Sequence, residues 1–268
     1  MRTVISKDGT AIAFDQWGTG PAIILVGGAF TDRSQPILTQ LAESLSPQFT
    51  VINYDRRGRG DSGDTAPYGV EREIEDLEAL IKEAGGSAFV CGFSSGAALA
   101  LEAAASGLAM KKLALYEPPF RIAGSSRPLP QDFAKHLSEL ISSGRRGDAA
   151  EYFMTQAAEV PAEFAAQMRN EPFWPTVEAV AHTLIYDSAI MGNDGSLPIE
   201  RLTVITVPAL VIDGGASPAW MREAARAVAE VMPHAQRRTL EGQTHQVSPQ
   251  VLAPVLMEFF IGILPKMS

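Results

Sequence analysis

The chain has 268 residues, of which 22 are Lys or Arg and 31 are Asp or Glu, which gives a net charge of −9 near neutral pH. This acidic balance argues against a nucleic acid or an anionic membrane as the partner. The single cysteine, Cys91, excludes a disulfide framework, and its apolar surroundings indicate a core residue. With no signal peptide and no apolar run long enough to span a bilayer, we expect a soluble, cytoplasmic protein.

The first half of the chain alternates strands with helices. Apolar runs and Gly-containing turns predict strands over Thr3–Ser6, Ala11–Gln16, Ala22–Val26, Phe49–Tyr54, a run that begins at Phe89, and Leu113–Glu117. Helices are predicted over Pro36–Ser44, over Ile74–Ala84 and from about Ser95 onward. Such alternation is typical of a mostly parallel sheet with right-handed crossovers.

The alternation lapses between residues 120 and 201. Amphipathic helices are predicted over Gln131–Ser142, Asp148–Ala157, Ala162–Met168 and Val177–Met191, with no convincing strand between them. The core pattern then resumes with strands over Pro208–Asp213 and Gln236–Leu240 and with helices over Trp220–Val231 and from Ser248 onward. We therefore predict a core domain of residues 1–119 and 202–268, and a helical cap of residues 120–201.

The most informative stretch is the G-x-S-x-G motif centred on Ser94, between an apolar strand and an Ala-rich helix. A strand that turns abruptly into a helix holds its apical side chain away from the sheet in strained geometry. The hydroxyl then points into the crevice beyond the strand ends, where open α/β sheets bind ligands. The motif in this context makes Ser94 a candidate nucleophile.

Four segments in order resemble the α/β-hydrolase superfamily: residues 26–30, 55–62, 92–96 and 241–245. The resemblance covers nearly the whole chain and implies an α/β fold with an eight-stranded, mostly parallel sheet flanked by helices, together with a cap. It implies that His245, in the loop after the last strand, is the base for Ser94. The backbone N–H groups of Ala29 and Ser95 are the implied oxyanion hole. Gly27 replaces a histidine that the family commonly has there, which removes no backbone donor.

The third member of the implied triad departs from the family pattern. By spacing, Ser217 fills the position after the seventh strand where the superfamily usually has Asp. Glu117, at the end of the sixth strand, is our preferred acid, because haloalkane dehalogenases and zearalenone lactonases place their acid after that strand. Asp213 is the alternative, and a Ser–His pair without any acid is the third possibility.

A serine hydrolase acting on a small or medium apolar ester or lactone is the leading interpretation, as a monomer or homodimer without metal or cofactor. Two alternatives stay open: a lyase or isomerase that shuttles protons without an acyl-enzyme, and a ligand-binding pseudoenzyme. The charged loop of residues 55–62 is expected to be structural. The candidate residues of an apolar substrate wall are Phe30, Phe93, Phe153, Met154, Met168, Phe173, Trp174 and Trp220.

Overall fold

The computed structural model describes residues 1–192 and 194–262, and a single eight-stranded sheet forms its centre. The strands are β1 (Arg2–Ile5), β2 (Ala11–Trp17), β3 (Ala22–Val26), β4 (Thr50–Tyr54), β5 (Ala88–Phe93), β6 (Met110–Tyr116), β7 (Ala209–Gly214) and β8 (Ala235–Leu240). They lie in the order β1-β2-β4-β3-β5-β6-β7-β8. The β1–β2 and β2–β4 pairs are antiparallel and the others are parallel, which confirms the predicted sheet.

Helices cover both faces of this sheet. Those of the core are α1 (Pro36–Leu45), α2 (Val70–Glu83), α3 (Ser95–Ala105), α9 (Ile199–Leu202), α10 (Ala219–Val231) and α11 (Pro249–Ile261). The apolar residues of α1 and α11 pack on one face, in the cluster that also contains Cys91, and those of α2, α3 and α10 pack on the other. All five residues of β3 are buried, as expected of a strand covered on both sides. None of the helices in the described ranges combines the length and apolarity needed to cross a membrane.

The segment between β6 and β7 is helical. It contains α4 (Phe133–Ser142), α5 (Arg146–Gln156), α6 (Ala162–Met168), α7 (Trp174–Val180) and α8 (Leu184–Met191). These helices share an apolar cluster that includes Phe133, Phe153 and Trp174. The assignment of residues 120–201 to a separate cap stays a prediction.

The predicted helix over Val177–Met191 is wrong as a single element. A 3₁₀ turn at Ala181–Thr183 separates α7 from α8. The Thr183 hydroxyl donates to the carbonyl of Val180 at 2.8 Å and accepts the Arg59 Nε–H at 2.9 Å. Because Ser and Thr hydroxyls that bond back to the preceding turn compete with the helical pattern, this contact accounts for the break.

The strand directions determine where the chemistry can be. Strands β3, β5, β6 and β7 are parallel, so their carboxyl ends meet at one edge of the sheet. Gly27, Ser94 and Glu117 each follow directly after one of these ends. The predicted site residues are therefore brought together by topology.

Candidate active site

Ser94 forms the turn between β5 and α3 in a backbone conformation that L-residues rarely adopt, with φ of 53° and ψ of −126°. Small neighbours make the turn possible. A Cβ on Gly92 would lie 2.6 Å from the Cα of Ala97, and one on Gly96 would lie 2.4 Å from the carbonyl oxygen of Gly27. The strand–turn–helix context predicted for the motif is present, and it leaves no room for side chains at the two glycines.

His245 is hydrogen bonded to the carboxylate of Glu117, with 2.6 Å between Nδ1 and Oε2. The other oxygen, Oε1, accepts the Gly214 amide N–H at 2.8 Å. Glu117 is fully buried, and its φ of 47° lies in the left-handed region. The Tyr116 hydroxyl donates to the carbonyl of Thr244 at 2.5 Å, which holds the His245 loop over the end of β6. The contact that the preferred acid requires is therefore made.

The charge of Glu117 follows from its surroundings. Burial raises its pKa, but hydrogen bonds from His245 and the Gly214 amide lower it more, so the pKa lies below its ordinary value. The Ser217 hydroxyl forms no hydrogen bond with the described residues. An ionised carboxylate on Nδ1 leaves Nε2 as the nitrogen that can accept a proton.

Asp213 and Ser217, the other two positions considered for the triad acid, have different partners from Glu117. The carboxylate of Asp213 accepts from Arg237 Nε at 2.8 Å and from Arg237 Nη2 at 3.1 Å. The Thr239 hydroxyl lies 3.2 Å from each of its oxygens. Asp213 thus joins β7 to β8, while Ser217 is buried next to Glu117. Neither residue contacts His245 through a hydrogen bond in the described ranges.

The backbone N–H groups of Ala29 and Ser95 have no acceptor among the described residues. Ser95 is the first residue of α3, where an N–H lacks an intrahelical partner. Ala29 follows Gly28, and a Cβ on Gly28 would lie 2.9 Å from the Ser94 Cβ, so the loop backbone lies against the serine. Both N–H groups are therefore available to an anionic oxygen next to Ser94.

A buried network of charges lies behind Ser95. Asp187 of α8 accepts from Arg56 and from the Ser95 hydroxyl through Oδ1, and from Arg59 through Oδ2, each at 2.7 Å. Arg56 also forms a bidentate pair with Glu73 at 2.7 and 2.8 Å. Burial raises the pKa of Asp187, but Arg59 and Arg56 lower it more, so the net shift is downward. The expectation that the charged loop is fastened by ion pairs is met.

Two cavities meet at Ser94. The first encloses about 70 Å³ and the second about 450 Å³. Five residues contribute to the lining of both cavities: Ala29, Ser94, Phe153, Ala158 and His245. No hydrogen bond joins the Ser94 hydroxyl to His245 among the described residues, although both residues line the same two cavities.

The predicted substrate wall is largely apolar cavity lining. Trp220 lines the first cavity, Phe153 lines both, and the second is lined by Phe30, Phe93, Met154, Met168 and Phe173. Trp174 lines neither: it is buried within the cap cluster, and Arg169 lies over its ring with 5.8 Å to the centroid. Sequence reasoning missed part of the first cavity, namely Pro119, Leu129, Phe133, Met191 and Met221.

Asp187 is the most important residue that the sequence analysis overlooked. A signal was present, since it is the only charged residue in the otherwise apolar stretch of α8. A lone acid on a buried helix face needs a cationic partner. Among the described residues, no group of three or more His, Cys, Asp or Glu side chains is arranged to hold a metal ion.

Comparison with known proteins identifies relatives of this chain. A sequence profile of the alpha/beta hydrolase family matches residues 23–255. The uncharacterized hydrolase YraK of Bacillus subtilis (strain 168) is 35% identical over 98 residues, which is 35% of this chain and 35% of YraK. The chain therefore matches about a third of the length of this curated relative.

Solved structures give similarity over the full length. An alpha/beta hydrolase from Sphaerobacter thermophilus DSM 20745 is 56% identical with a TM-score of 0.92, and the match covers 97% of this chain and 100% of that one. An esterase from Thermogutta terrifontis, solved with malate bound, is 22% identical with a TM-score of 0.71, covering 96% of this chain and 97% of that one. At that identity the likeness shows the fold alone.

Proposed function

Because the chain belongs to the alpha/beta hydrolase family, we propose that it is a serine hydrolase that cleaves a carboxylic ester or lactone through an acyl-enzyme on Ser94. The observation that carries the proposal is the 2.6 Å hydrogen bond between Glu117 and His245, at the wall of a cavity that Ser94 also lines. A carboxylate, an imidazole and a hydroxyl in that order are the groups that acyl transfer requires.

In the first step, Nε2 of His245 takes the proton of the Ser94 hydroxyl while Oγ attacks the carbonyl carbon. The electron pair of the carbonyl bond moves onto oxygen, and the N–H groups of Ala29 and Ser95 stabilise that anion. This step needs a hydrogen bond from the Ser94 hydroxyl to Nε2 of His245. That hydrogen bond forms on substrate binding, because catalytic hydrogen bonds are often long in ligand-free enzymes and shorten in the complex. Glu117 stabilises the imidazolium without taking its proton.

In the second step, the anion collapses and the ester C–O bond breaks. The imidazolium of His245 gives its proton to the departing alcohol oxygen, which leaves an acyl group on Ser94; in a lactone the alcohol remains attached to that group. Water, deprotonated by His245, then attacks the acyl carbon. The resulting tetrahedral anion collapses, the bond between the acyl carbon and Oγ of Ser94 breaks, and the imidazolium returns its proton to Oγ. The products are a carboxylic acid and the free serine.

The lining of the two cavities supports an apolar substrate. Most of the side chains that line the two cavities are aromatic or aliphatic, among them Phe153 and Phe133 in the first cavity and Met154 in the second. Arg121 and Asp187 are the charged residues in the lining of the first cavity. Burial of apolar surface contributes about 25 cal/mol per Å², so even a short acyl chain gains binding energy there. The hydrogen bond between Glu117 and His245 supports the hydrolase over the proton-shuttling alternative, which predicts catalysis without an adduct on Ser94.

Labelling with a fluorophosphonate probe followed by peptide mass spectrometry tests the proposal. We expect one adduct, on Ser94, in the wild-type protein and none in Ser94→Ala. A panel of p-nitrophenyl esters of increasing chain length together with lactones then defines the substrate class. Turnover of these compounds without an adduct on Ser94 would rule out the acyl-enzyme, and the absence of both would leave the ligand-binding interpretation.

A further inference from the structure

The loop that carries Ala29 is held from behind by a buried arginine. We propose that Arg59, assisted by Thr31, is a positioning residue that fixes the Gly28–Ala29 peptide with its N–H toward the reacting oxygen. The inference rests on the proposed function, because it concerns the oxyanion donor of that same site. It assigns a role in turnover to a loop that the sequence alone marks as structural.

The Gly28 carbonyl receives two hydrogen bonds. Nη1 of Arg59 donates to it at 2.5 Å and the Thr31 hydroxyl at 2.8 Å. The peptide between Gly28 and Ala29 is trans, so its C=O and N–H point in opposite directions. Holding the oxygen on the Arg59 side therefore turns the N–H of Ala29 toward the opposite side, where Ala29 and Ser94 line both cavities.

Such an anchor matters because the loop is intrinsically free to rearrange. Glycines occupy positions 27 and 28, and glycine populates backbone conformations that other residues avoid. A flipped Gly28–Ala29 peptide would present a carbonyl oxygen to the developing anion in place of the N–H. One donor of the oxyanion hole would become a repulsive group.

Arg59 is itself rigidly held. Its guanidinium is 1% exposed, Nη2 donates to Asp187 at 2.7 Å, and Nε donates to the Thr183 hydroxyl at 2.9 Å. The same Asp187 accepts the Ser95 hydroxyl at 2.7 Å. The carboxylate of Asp187 thus holds Ser95 directly, and it holds the Gly28–Ala29 peptide through Arg59.

The contact also acts electrostatically. A charged donor forms a stronger hydrogen bond than a neutral one, and a bond to a carbonyl polarises the peptide so that its N–H becomes a better donor. Because Arg59 and Gly28 are both buried, water does not screen this polarisation. Lysine at position 59 keeps the charge but lacks the planar fork that reaches Gly28, Asp187 and Thr183 together.

The test compares Arg59→Lys with Arg57→Lys in the full-length protein, using the p-nitrophenyl ester that the wild type hydrolyses fastest. Arg57 is a matched control: it lies in the same loop, is 1% exposed, and pairs with Asp76 and Asp8 away from the oxyanion loop. We expect Arg59→Lys to lower kcat by about 10²-fold with KM changed less than about threefold. Its affinity for a boronic acid that forms a tetrahedral adduct on Ser94 should fall by a similar factor.

In the control Arg57→Lys, kcat should stay within about twofold of the wild type, whatever its melting temperature. Thr31→Val removes the second donor to Gly28 without a change of charge, and we expect kcat to fall about threefold to tenfold. A kcat within twofold of the wild type in Arg59→Lys overturns the inference, as does an equal loss in Arg57→Lys. If Arg59→Lys does not fold, an unaffected kcat in Thr31→Val overturns it. A wild-type protein without a Ser94 adduct refutes the proposed function, whereas a labelled wild type with unaffected variants refutes this inference alone.

Discussion

Two sets of buried charges border Ser94, and they are built for different tasks. On one side Glu117, which is fully buried, has His245 as its hydrogen-bond partner, and that imidazole is 34% exposed. On the other side Arg56, Arg59 and Asp187 are each at most 2% exposed and are joined by ion pairs of 2.7 Å. The first set leaves a ring nitrogen open for a proton to arrive and depart. The second set holds charges whose positions are fixed by one another.

The difference in exposure indicates that the Glu117–His245 pair controls turnover and that the network around Asp187 controls stability. A proton can move at His245 because its Nε2 is not occupied by Glu117, which bonds Nδ1. In the network around Asp187, removing one partner leaves a buried charge without compensation, and this strongly destabilises a fold. Substitutions at Glu117 should therefore lower turnover more than stability, and substitutions at Asp187 should lower stability.

The largest expected effect is that of Glu117→Gln on turnover. The amide keeps the shape of the side chain but cannot stabilise the imidazolium and permits the wrong tautomer of His245. In serine proteases the equivalent change lowers kcat by about 10⁴-fold, and we expect about 10³- to 10⁴-fold here. Steady-state kinetics on a p-nitrophenyl ester measure it, with the unfolding free energy expected to fall by no more than about 2 kcal/mol.

Two further variants sharpen this prediction. Asp213→Asn serves as the matched control, since Asp213 is also a buried carboxylate near the carboxyl end of a core strand but pairs with Arg237. Its kcat should remain within about threefold of the wild type. Adding Ser217→Asp to Glu117→Gln places an acid at the position that the family commonly uses and should recover part of the loss. Near-normal kcat in Glu117→Gln would remove Glu117 from the mechanism.

The second effect concerns stability. Asp187→Asn leaves the buried guanidinium groups of Arg56 and Arg59 with one fewer negative charge, and we expect the free energy of unfolding to fall by about 3–5 kcal/mol. Asp148→Asn is the control, because Asp148 pairs with Arg145 and Arg169 at the surface, where such a pair contributes about 0–1 kcal/mol. Urea unfolding followed by circular dichroism gives both values. Equal losses in the two variants would contradict the comparison.

The sequence predicted most of the first charge set. His245 follows the polar strand β8, and its role was assigned from the resemblance to the α/β-hydrolase superfamily. Ser94 and Glu117 each follow a strand of local apolar character, and parallel strands bring their carboxyl ends to one edge of the sheet. Local signals were enough to place these two residues near one another. They could not choose between Glu117 and Asp213, because both end a strand; that choice depends on the ion pair of Asp213 with Arg237 across β7 and β8.

The ion pairs among Arg56, Arg59 and Asp187 could not be predicted from local sequence patterns. Arg59 and Asp187 are separated by 128 positions, so their contact depends on how the helical segment between β6 and β7 packs against the core. The same contact region explains the wrongly predicted helix over Val177–Met191, since Thr183 at the break accepts from Arg59. Trp174 is a large apolar residue of the kind expected in a substrate wall. It packs instead in the apolar cluster of the helices between β6 and β7, which keeps it out of both cavities, and the sequence alone does not reveal that packing.

The smallest expected effect is a dependence of stability on pH at Glu117. Burial raises the pKa of this carboxyl, and the hydrogen bonds that include His245 lower it more, so the folded value lies below the ordinary 4.5. As the pH falls, the unfolded chain takes up the proton first, which favours unfolding. The contribution is therefore complete above 4.5 and is lost as the pH falls through the folded pKa.

Gln at position 117 does not titrate, so below about pH 5 the difference in unfolding free energy between the wild type and Glu117→Gln reports the titration of this carboxyl. As the pH falls from about 5, that difference should decrease by about 1.4 kcal/mol for each unit by which the folded pKa is depressed. Urea unfolding at closely spaced pH values measures it. A difference that increases on acidification would mean that burial outweighs the hydrogen bonds of His245 and Gly214, and that Glu117 is harder to ionise in the folded chain than in the unfolded chain.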